Sequence, residues 1–221
     1  MIKAVLLDLD GTLIDTAPDM GAALNNLLLE ENLEPLPLDI IRPYVSQGGL
    51  VLTRLGFADV VPEAEIEALR QRYLHHYRAI VADDSVLFDG LDAILAELES
   101  RGIPWGIVTN KPEWLTQPLL EKMGLARRAS VVIGGDTLEK RKPDPMPLQV
   151  AAERIGIDCQ NCVYIGDDER DILAGKAARM KTLVAAYGYI GPSVDIQSWN
   201  ADGVVEQPGE LLQHPLLHCL G

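Results

Sequence analysis

The chain has 221 residues, 48% of them hydrophobic and 24% charged, and its formal net charge is −14. This acidic balance argues against nucleic acid and anionic membrane surfaces as partners, because both would be repelled. No apolar run reaches the roughly 20 residues of a membrane span, and the N-terminus does not resemble a signal peptide. We therefore expect a cytoplasmic protein whose three cysteines are reduced thiols.

Short apolar runs alternate with helical patterns along the chain, an order that predicts β/α units and a parallel sheet. Strands are predicted at residues 2–7, 102–110, 130–136, 162–168 and 181–186. Helices are predicted between them, from Leu91 up to Gly102 and at about 113–124, 146–156 and 169–180. The expected fold class is therefore α/β, with a Rossmann-like parallel sheet at its core.

The stretch from 17 to 83 has helical patterns at 17–31, 39–55 and 62–82 but no convincing strand. Helices inserted after the first strand of a parallel sheet predict a separate lobe. We expect residues 1–16 and 84–221 to form the core domain, and residues 17–83 to form an inserted all-helical domain.

Polar side chains follow four of the five predicted strands, at the sheet edge where open α/β proteins bind ligands. They are Asp8, Asp10, Gly11 and Thr12 after the first strand, Thr109, Asn110 and Lys111 after the second, Lys142 in the loop after the third, and Asp167, Asp168 and Asp171 after the fourth.

Acids brought together at one edge would repel, by about 4 kcal/mol for two charges 4 Å apart at an effective dielectric near 20. Mg²⁺ would offset that repulsion, since it binds one or two carboxylates together with phosphate oxygens. Lys142 and the Thr109 hydroxyl would then favour a phosphate group, which the Asp8 carboxylate could attack. Asp10 would serve as general acid and then as base, and Gly11 would allow a tight turn whose N–H groups approach phosphate.

The segments "DLDGT", "VTN", "KRKPDP" and "GDDERD" resemble, in order, the four motifs of the haloacid dehalogenase superfamily of phosphatases. The resemblance implies that Asp8 is the nucleophile and Asp10 the acid/base. It also implies a Mg²⁺ ion held by Asp8, the Asp10 backbone carbonyl and Asp167, with Asp168 and Asp171 around them. Phosphate contacts are implied for Gly11, Thr12, Thr109, Asn110 and Lys142. The helical insert resembles the first type of cap in that superfamily, a lobe that closes over substrate.

Within the superfamily, "VTNKP", "VVIGGD" and "KPDPMPL" resemble phosphoglycolate phosphatases. The C-terminal "YGYIGP" and "SWNADGVVEQPGEL" also resemble a group that dephosphorylates N-acetylmuramic acid 6-phosphate in cell-wall recycling. Both substrates stay open. The expected partner is a small phosphorylated metabolite, and the expected assembly is a monomer or homodimer. By family analogy, Gln47, Gly48, Gly49 and Arg42 are candidates for substrate selection.

Two other functions remain as alternatives: a phosphosugar mutase of the same superfamily, and a receiver-like module that accepts phosphate without turnover. The pair in "CQNC" (159–162) is interpreted as two incidental thiols, because a zinc site would need a second pair. Arg179 stands where the family usually has glycine. This substitution implies a different stop for the preceding helix and an effect on local stability.

Overall fold

The structure is a computed structural model that describes residues 1–217. Its strands are β1 (Ala4–Leu7), β2 (Ile14–Asp15), β3 (Val86–Leu87), β4 (Trp105–Val108), β5 (Val131–Ile133), β6 (Cys162–Gly166), β7 (Lys181–Ala185) and β8 (Gly203–Val205). The five predicted strands are all present, each shorter than or equal to its predicted range. The last four residues of the predicted core domain, 218–221, lie outside the described range.

Six of the strands form one parallel sheet in the order β5-β4-β1-β6-β7-β8. The parallel sheet confirms the predicted fold class. β1 lies in the middle, between β4 and β6, and all four of its residues are buried. The carboxyl ends of β1, β4 and β6 are therefore neighbours, and the residues that follow them meet at one edge of the sheet.

Sequence patterns did not predict β8, β2 or β3. β8 has only three residues and extends the sheet by pairing with β7. β2 and β3 have two residues each and form a separate antiparallel ribbon, in which Ile14 pairs with Leu87. Such short strands carry no readable periodicity, and their pairing depends on segments far apart in the chain.

The helices are α1 (Ala17–Glu30), α2 (Leu38–Ile41), α3 (Gly49–Phe57), α4 (Glu63–Ile80), α5 (Leu91–Ser100), α6 (Glu113–Lys122), α7 (Met146–Ile155) and α8 (Glu169–Ala177). Alternate residues of β1 face opposite sides of the sheet. Val5 and Leu7 share a buried cluster with α5 and α6, while Ala4 and Leu6 share another with α7 and α8. The sheet is thus covered on both faces, as parallel sheets require.

Between the two strands of the ribbon, every regular element in the described structure is helical. A single helix over 39–55 is wrong: the chain forms α2, a 3₁₀ stretch at Arg42–Gln47, and α3. Pro43 lacks the N–H that a helix interior needs, and Gly48 has a positive φ of 84°. Both residues interrupt the helix.

The end of α8 corrects the expectation about Arg179. Met180 N donates to Gly175 O (2.9 Å) and Arg179 N donates to Lys176 O (3.0 Å), the bonds of a Schellman ending. Arg179 occupies the left-handed position itself, with φ 63°. The helix therefore stops as it would with glycine, and arginine adopts the conformation that glycine usually supplies.

Among the described residues, no helix combines the length and apolar character needed to cross a membrane.

Candidate active site

Asp8 and Asp10 directly follow the central strand, with Leu9 between them fully buried in the core. Both acids are themselves buried, at 7% and 9% exposure. The turn after them needs glycine, because Gly11 has φ 84° and a Cβ there would overlap Asp167 Oδ2. The turn therefore brings its backbone against the acid that follows β6.

Asp8, Asp167 and Asp171 form a buried cluster in which one carboxylate oxygen of each lies within 4.8 Å of the others. Burial raises the pKa of Asp167 well above its usual range, and the charges of Asp8 and Asp171 raise it further. Burial likewise raises the pKa of Asp171 to about 6, although Lys142 opposes the shift. Three acids held this way, all with oxygen donors, suit a hard divalent cation.

The position between Asp167 and the Asp10 backbone carbonyl also fits a cation. The Ser46 hydroxyl donates to Asp167 Oδ2 (2.7 Å) and lies 3.3 Å from Asp10 O, so both oxygens face one point. Ser46 lies in the helical segment between β2 and β3, and its own carbonyl accepts a hydrogen bond from Arg170 (2.8 Å). The sequence does not predict this contact, because no local pattern brings residue 46 to this edge.

Lys142 bridges two members of the cluster. Its Nζ lies 2.8 Å from Asp8 Oδ1 and 2.7 Å from Asp171 Oδ1, and it also donates to Tyr164 Oη (2.8 Å). Burial would lower its pKa, but the charges of Asp171 and Asp8 outweigh burial and raise it. The lysine is therefore a fixed cation beside the predicted nucleophile. Asp171 serves as its counter-ion.

Asp10 points to a different set of partners. Lys111 Nζ lies 2.9 and 3.2 Å from its two carboxylate oxygens, and the Thr16 hydroxyl donates to Oδ1 (2.6 Å). Lys111 is 6% exposed, and its ammonium lies 4.4 Å from the centre of the Tyr77 ring. The sequence showed Lys111 after the second strand but gave it no role. Its position directly after a buried strand was the one sequence feature that could have indicated a role in the site.

Thr109 and Asn110 lie at the end of β4 and line the same cavity as Asp8. The Thr109 Oγ1 atom accepts a hydrogen bond from Lys111 N (3.1 Å), so the hydroxyl proton can point at a ligand. One N–H of the Asn110 amide donates to Lys142 O (3.0 Å). Asn110 thus holds the loop that carries the lysine.

Gly11 and Thr12 lie outside the cavity lining, and their backbone N–H groups are engaged within the turn, with Ile14 O (3.0 Å) and Leu9 O (3.4 Å). Neither amide is free for the phosphate contact expected of it. The Thr12 hydroxyl instead donates to Asp167 (3.3 Å) and helps to position that acid. The physical reason is that the tight turn closes its own hydrogen bonds.

Asp168 caps α8. Its carboxylate accepts from Arg170 N (3.0 Å) and pairs with the Arg170 guanidinium (2.8 Å). The backbone N–H of Asp168 donates in turn to Asp171 Oδ2 (3.1 Å), which completes a capping box. Asp171 therefore belongs to the acid cluster, whereas Asp168 lies beside it and pairs with Arg170.

A cavity of about 600 Å³ opens over these residues and is walled on its other side by the helical segment. Gln47, Gly48 and Gly49 line it. Arg42 lies elsewhere: it pairs with Asp15 (2.8 Å) and stacks 5.5 Å from the Tyr189 ring centre, beside the ribbon.

Cys159 and Cys162, the two cysteines within the described residues, are unbridged and distant from this cavity. Burial raises the pKa of Cys162 to about 12, so its thiol stays protonated at neutral pH. Both observations agree with incidental thiols.

Comparison with known proteins gives relatives along nearly the whole chain. A phosphoglycolate phosphatase from Xanthomonas campestris pv. campestris is 49% identical over 95% of this chain and 94% of its own. An N-acetylmuramic acid 6-phosphate phosphatase from Pseudomonas aeruginosa is 39% identical over 96% and 93%. A crystal structure described as a predicted phosphoglycolate phosphatase from Haemophilus somnus superposes with a TM-score of 0.85 at 25% identity, covering 96% and 97%.

The model of the haloacid dehalogenase-like hydrolases matches residues 5–185, a range that runs from the second residue of β1 to the end of β7 and includes the whole acid cluster. Together with the relatives, this match shows that the chain belongs to the haloacid dehalogenase-like hydrolase family.

Proposed function

We propose that this protein is a Mg²⁺-dependent phosphomonoesterase that works through an aspartyl phosphate. The observation that carries the proposal is the placement of Lys142 between Asp8 and Asp171, beside Asp167 and within one cavity with Asp10. A carboxylate nucleophile, a fixed cation and a separate acid are the groups that phosphoryl transfer from an ester needs.

In the first step an Asp8 carboxylate oxygen attacks phosphorus, and the bond from phosphorus to the ester oxygen breaks. Lys142 and the Thr109 hydroxyl donate to phosphoryl oxygens, whose charge grows in the transition state. This step requires Asp10 to be protonated when the ester binds, and Asp10 gives that proton to the departing alkoxide. In the second step Asp10 takes a proton from water, which attacks phosphorus and releases phosphate with Asp8 restored.

Asp8, the Asp10 backbone carbonyl and Asp167 would hold Mg²⁺, and Asp168 and Asp171 would lie around them. The cation would neutralise the acid cluster and draw the dianionic phosphate into an otherwise acidic protein. Its fit is supported by the buried oxygen cluster and by the two oxygens that face one point at Ser46.

The helical segment 17–83 is proposed to act as the cap. The β2–β3 ribbon joins it to the core, and Ser46 reaches across to Asp167, so the segment contacts the acids directly. In that position it would exclude bulk water during the first step. The unbridged thiols support placing the enzyme in the cytoplasm.

Phosphoglycolate is the first candidate substrate, because the relatives at 45 and 49% identity carry that name. N-acetylmuramic acid 6-phosphate is the alternative. A cavity of about 600 Å³ favours it, because this volume lies in the range that holds drug-sized ligands and exceeds what a two-carbon acid fills.

The test is phosphate release with Mg²⁺ from p-nitrophenyl phosphate, phosphoglycolate, N-acetylmuramic acid 6-phosphate and hexose phosphates. We expect steady multiple turnovers that disappear in Asp8→Asn, because a neutral amide cannot attack phosphorus. A full rate in Asp8→Asn would disprove the mechanism. Uptake of a single phosphate would indicate a receiver-like module, and hexose phosphate isomerisation without phosphate release would indicate a mutase.

A further inference from the structure

The cavity that begins at Asp8 and Asp10 ends against one face of α4. Arg70, Tyr73 and Tyr77 lie on that face, three and seven residues apart, and all three line the cavity. Since the phosphoryl group would bind at the acids, this face lies where the remainder of the leaving group extends. It is the candidate subsite for that part of the substrate.

Within residues 1–217, five basic side chains line the cavity: Arg70, Lys111, Arg141, Lys142 and Arg170. Three of them are already paired with site carboxylates, Lys111 with Asp10, Lys142 with Asp8 and Asp171, and Arg170 with Asp168. The cations left for an anionic group of the substrate are Arg70 on α4 and Arg141 on the loop before Lys142. Arg141 is exposed, whereas Arg70 is half-buried.

Arg70 is held by one contact, between its Nη1 and Glu67 Oε1 (2.6 Å). The Glu67 carboxylate is 61% exposed and also accepts from Gln71 (2.7 Å), so water and Gln71 screen the ion pair. A guanidinium group has five N–H donors, and the contact with Glu67 uses only one of its nitrogens, Nη1. The remaining donors can form the paired hydrogen bonds that arginine makes with carboxylates.

Tyr73 and Tyr77 supply a second, independent observation. Their side chains are 0% and 1% exposed, and neither hydroxyl has a hydrogen-bond partner among residues 1–217. Burial raises the pKa of both hydroxyls, and the nearby charge of Asp10 raises them further. Buried polar groups without partners are uncommon in native proteins. Two such groups on the face of α4 that lines the cavity, both near the charge of Asp10, point to a polar ligand there.

We propose that Arg70 binds a carboxylate on the leaving group and thereby selects phosphate monoesters of hydroxy acids. The inference rests on the proposed function, since it assigns specificity to the same site. Glu67 orients the guanidinium, and the two tyrosines form the polar wall between the carboxylate and the general acid. Phosphoglycolate and N-acetylmuramic acid 6-phosphate both carry a carboxylate on the leaving group. The experiment shows which of the two is the substrate.

The test compares substrates that differ by the carboxylate. One pair is phosphoglycolate and 2-hydroxyethyl phosphate, and the other is N-acetylmuramic acid 6-phosphate and N-acetylglucosamine 6-phosphate. We expect Arg70→Gln to lower kcat/KM for the acid member of the true pair by roughly 10- to 100-fold, mainly through KM. The member without the carboxylate should change by less than about twofold, and Arg70→Lys should recover part of the loss.

Arg141→Gln is the matched control and should leave the ratio within each pair unchanged. Binding of the acid ester to Asp8→Asn and to Asp8→Asn/Arg70→Gln, measured by calorimetry with Mg²⁺, gives a readout that needs no turnover. We expect the dissociation constant to rise by a similar factor in the double variant.

The assignment would be overturned if Arg70→Gln lowered kcat/KM equally for both members of a pair or not at all. A selective loss in Arg141→Gln would overturn it too. Preference of the wild-type enzyme for esters without a carboxylate would overturn it as well. Turnover of p-nitrophenyl phosphate distinguishes failure of the Arg70 assignment from failure of the proposed phosphatase function. If that ester is hydrolysed and acid esters are not preferred, the subsite is wrong and the phosphatase stands. If no ester is hydrolysed, the proposed function itself fails.

Discussion

Lys111 Nζ lies 2.9 Å from Asp10 Oδ1, and the two side chains are only 3% and 12% exposed. The pair joins the end of β4 to the end of β1, beneath the cavity. Breaking such a buried pair on one side leaves a charge without compensation, whereas removing both charges does not.

Lys111→Met should therefore lower the free energy of unfolding by about 3–5 kcal/mol, because the Asp10 carboxylate stays buried without its counter-ion. Asp10→Asn/Lys111→Met should recover most of that loss. Urea unfolding of the two single variants and the double variant measures the coupling directly. Additive effects would show that the pair contributes nothing beyond its separate side chains.

The acid cluster predicts that stability of the metal-free protein falls as pH rises. Burial raises the pKa of Asp167 and Asp171, so the folded state keeps protons that the unfolded chain has lost. Where the folded state binds more protons, stability decreases with pH, by up to about 1.4 kcal/mol per pH unit for each proton. The window runs from the ordinary aspartate pKa near 3.8 to about 6 for Asp171, and beyond for Asp167.

Asp167→Asn should flatten that pH dependence and stabilise the metal-free protein at pH 7.5. Mg²⁺ should raise the Tm of the wild type and have a smaller effect on the variant, since one proposed ligand is lost. Thermal melts at pH 5 and 7.5, with EDTA and with Mg²⁺, test both statements. A variant less stable than wild type at pH 7.5 with EDTA would contradict the first.

The unpartnered hydroxyls of Tyr73 and Tyr77 predict a gain in stability when they are removed. Tyr73→Phe and Tyr77→Phe should each raise the free energy of unfolding by about 1 kcal/mol, because each relieves one unsatisfied buried polar group without loss of ring packing. Tyr164→Phe is the matched contrast: its hydroxyl donates to Val108 O (2.7 Å), so removal should destabilise. Equal effects in the three variants would contradict the distinction.

Arg179 predicts a stabilising substitution away from the site. Its φ of 63° is unfavourable for a side chain with Cβ, by roughly 1–2 kcal/mol. Arg179→Gly should raise the free energy of unfolding by about 1 kcal/mol, after the greater freedom of glycine in the unfolded chain is subtracted. kcat should not change. Urea unfolding and a p-nitrophenyl phosphate assay check the two statements, and a destabilised variant would show that the guanidinium stabilises the protein in some other way.

Local pattern was enough to predict the parallel sheet and the convergence of acids at its edge. Apolar runs followed by acids identify strand ends, and strand ends in parallel sheets share one edge. The helices at α5 to α8 were equally readable, because each presents an apolar face every three to four residues. Local pattern failed where chain segments of two or three residues pair across long distances, as in β2, β3 and β8.

Residue types and their order along the chain determined the family resemblance and singled out the proposed nucleophile and its proposed acid partner. Tertiary structure alone decided which charge faces which: Lys111 lies against Asp10, Lys142 lies between Asp8 and Asp171, and Ser46 reaches Asp167. These contacts join residues 29 to 134 positions apart, and their geometry depends on how helices pack over the sheet. No periodicity encodes such distances, because local pattern reports which face of an element is buried and not which side chain it meets there.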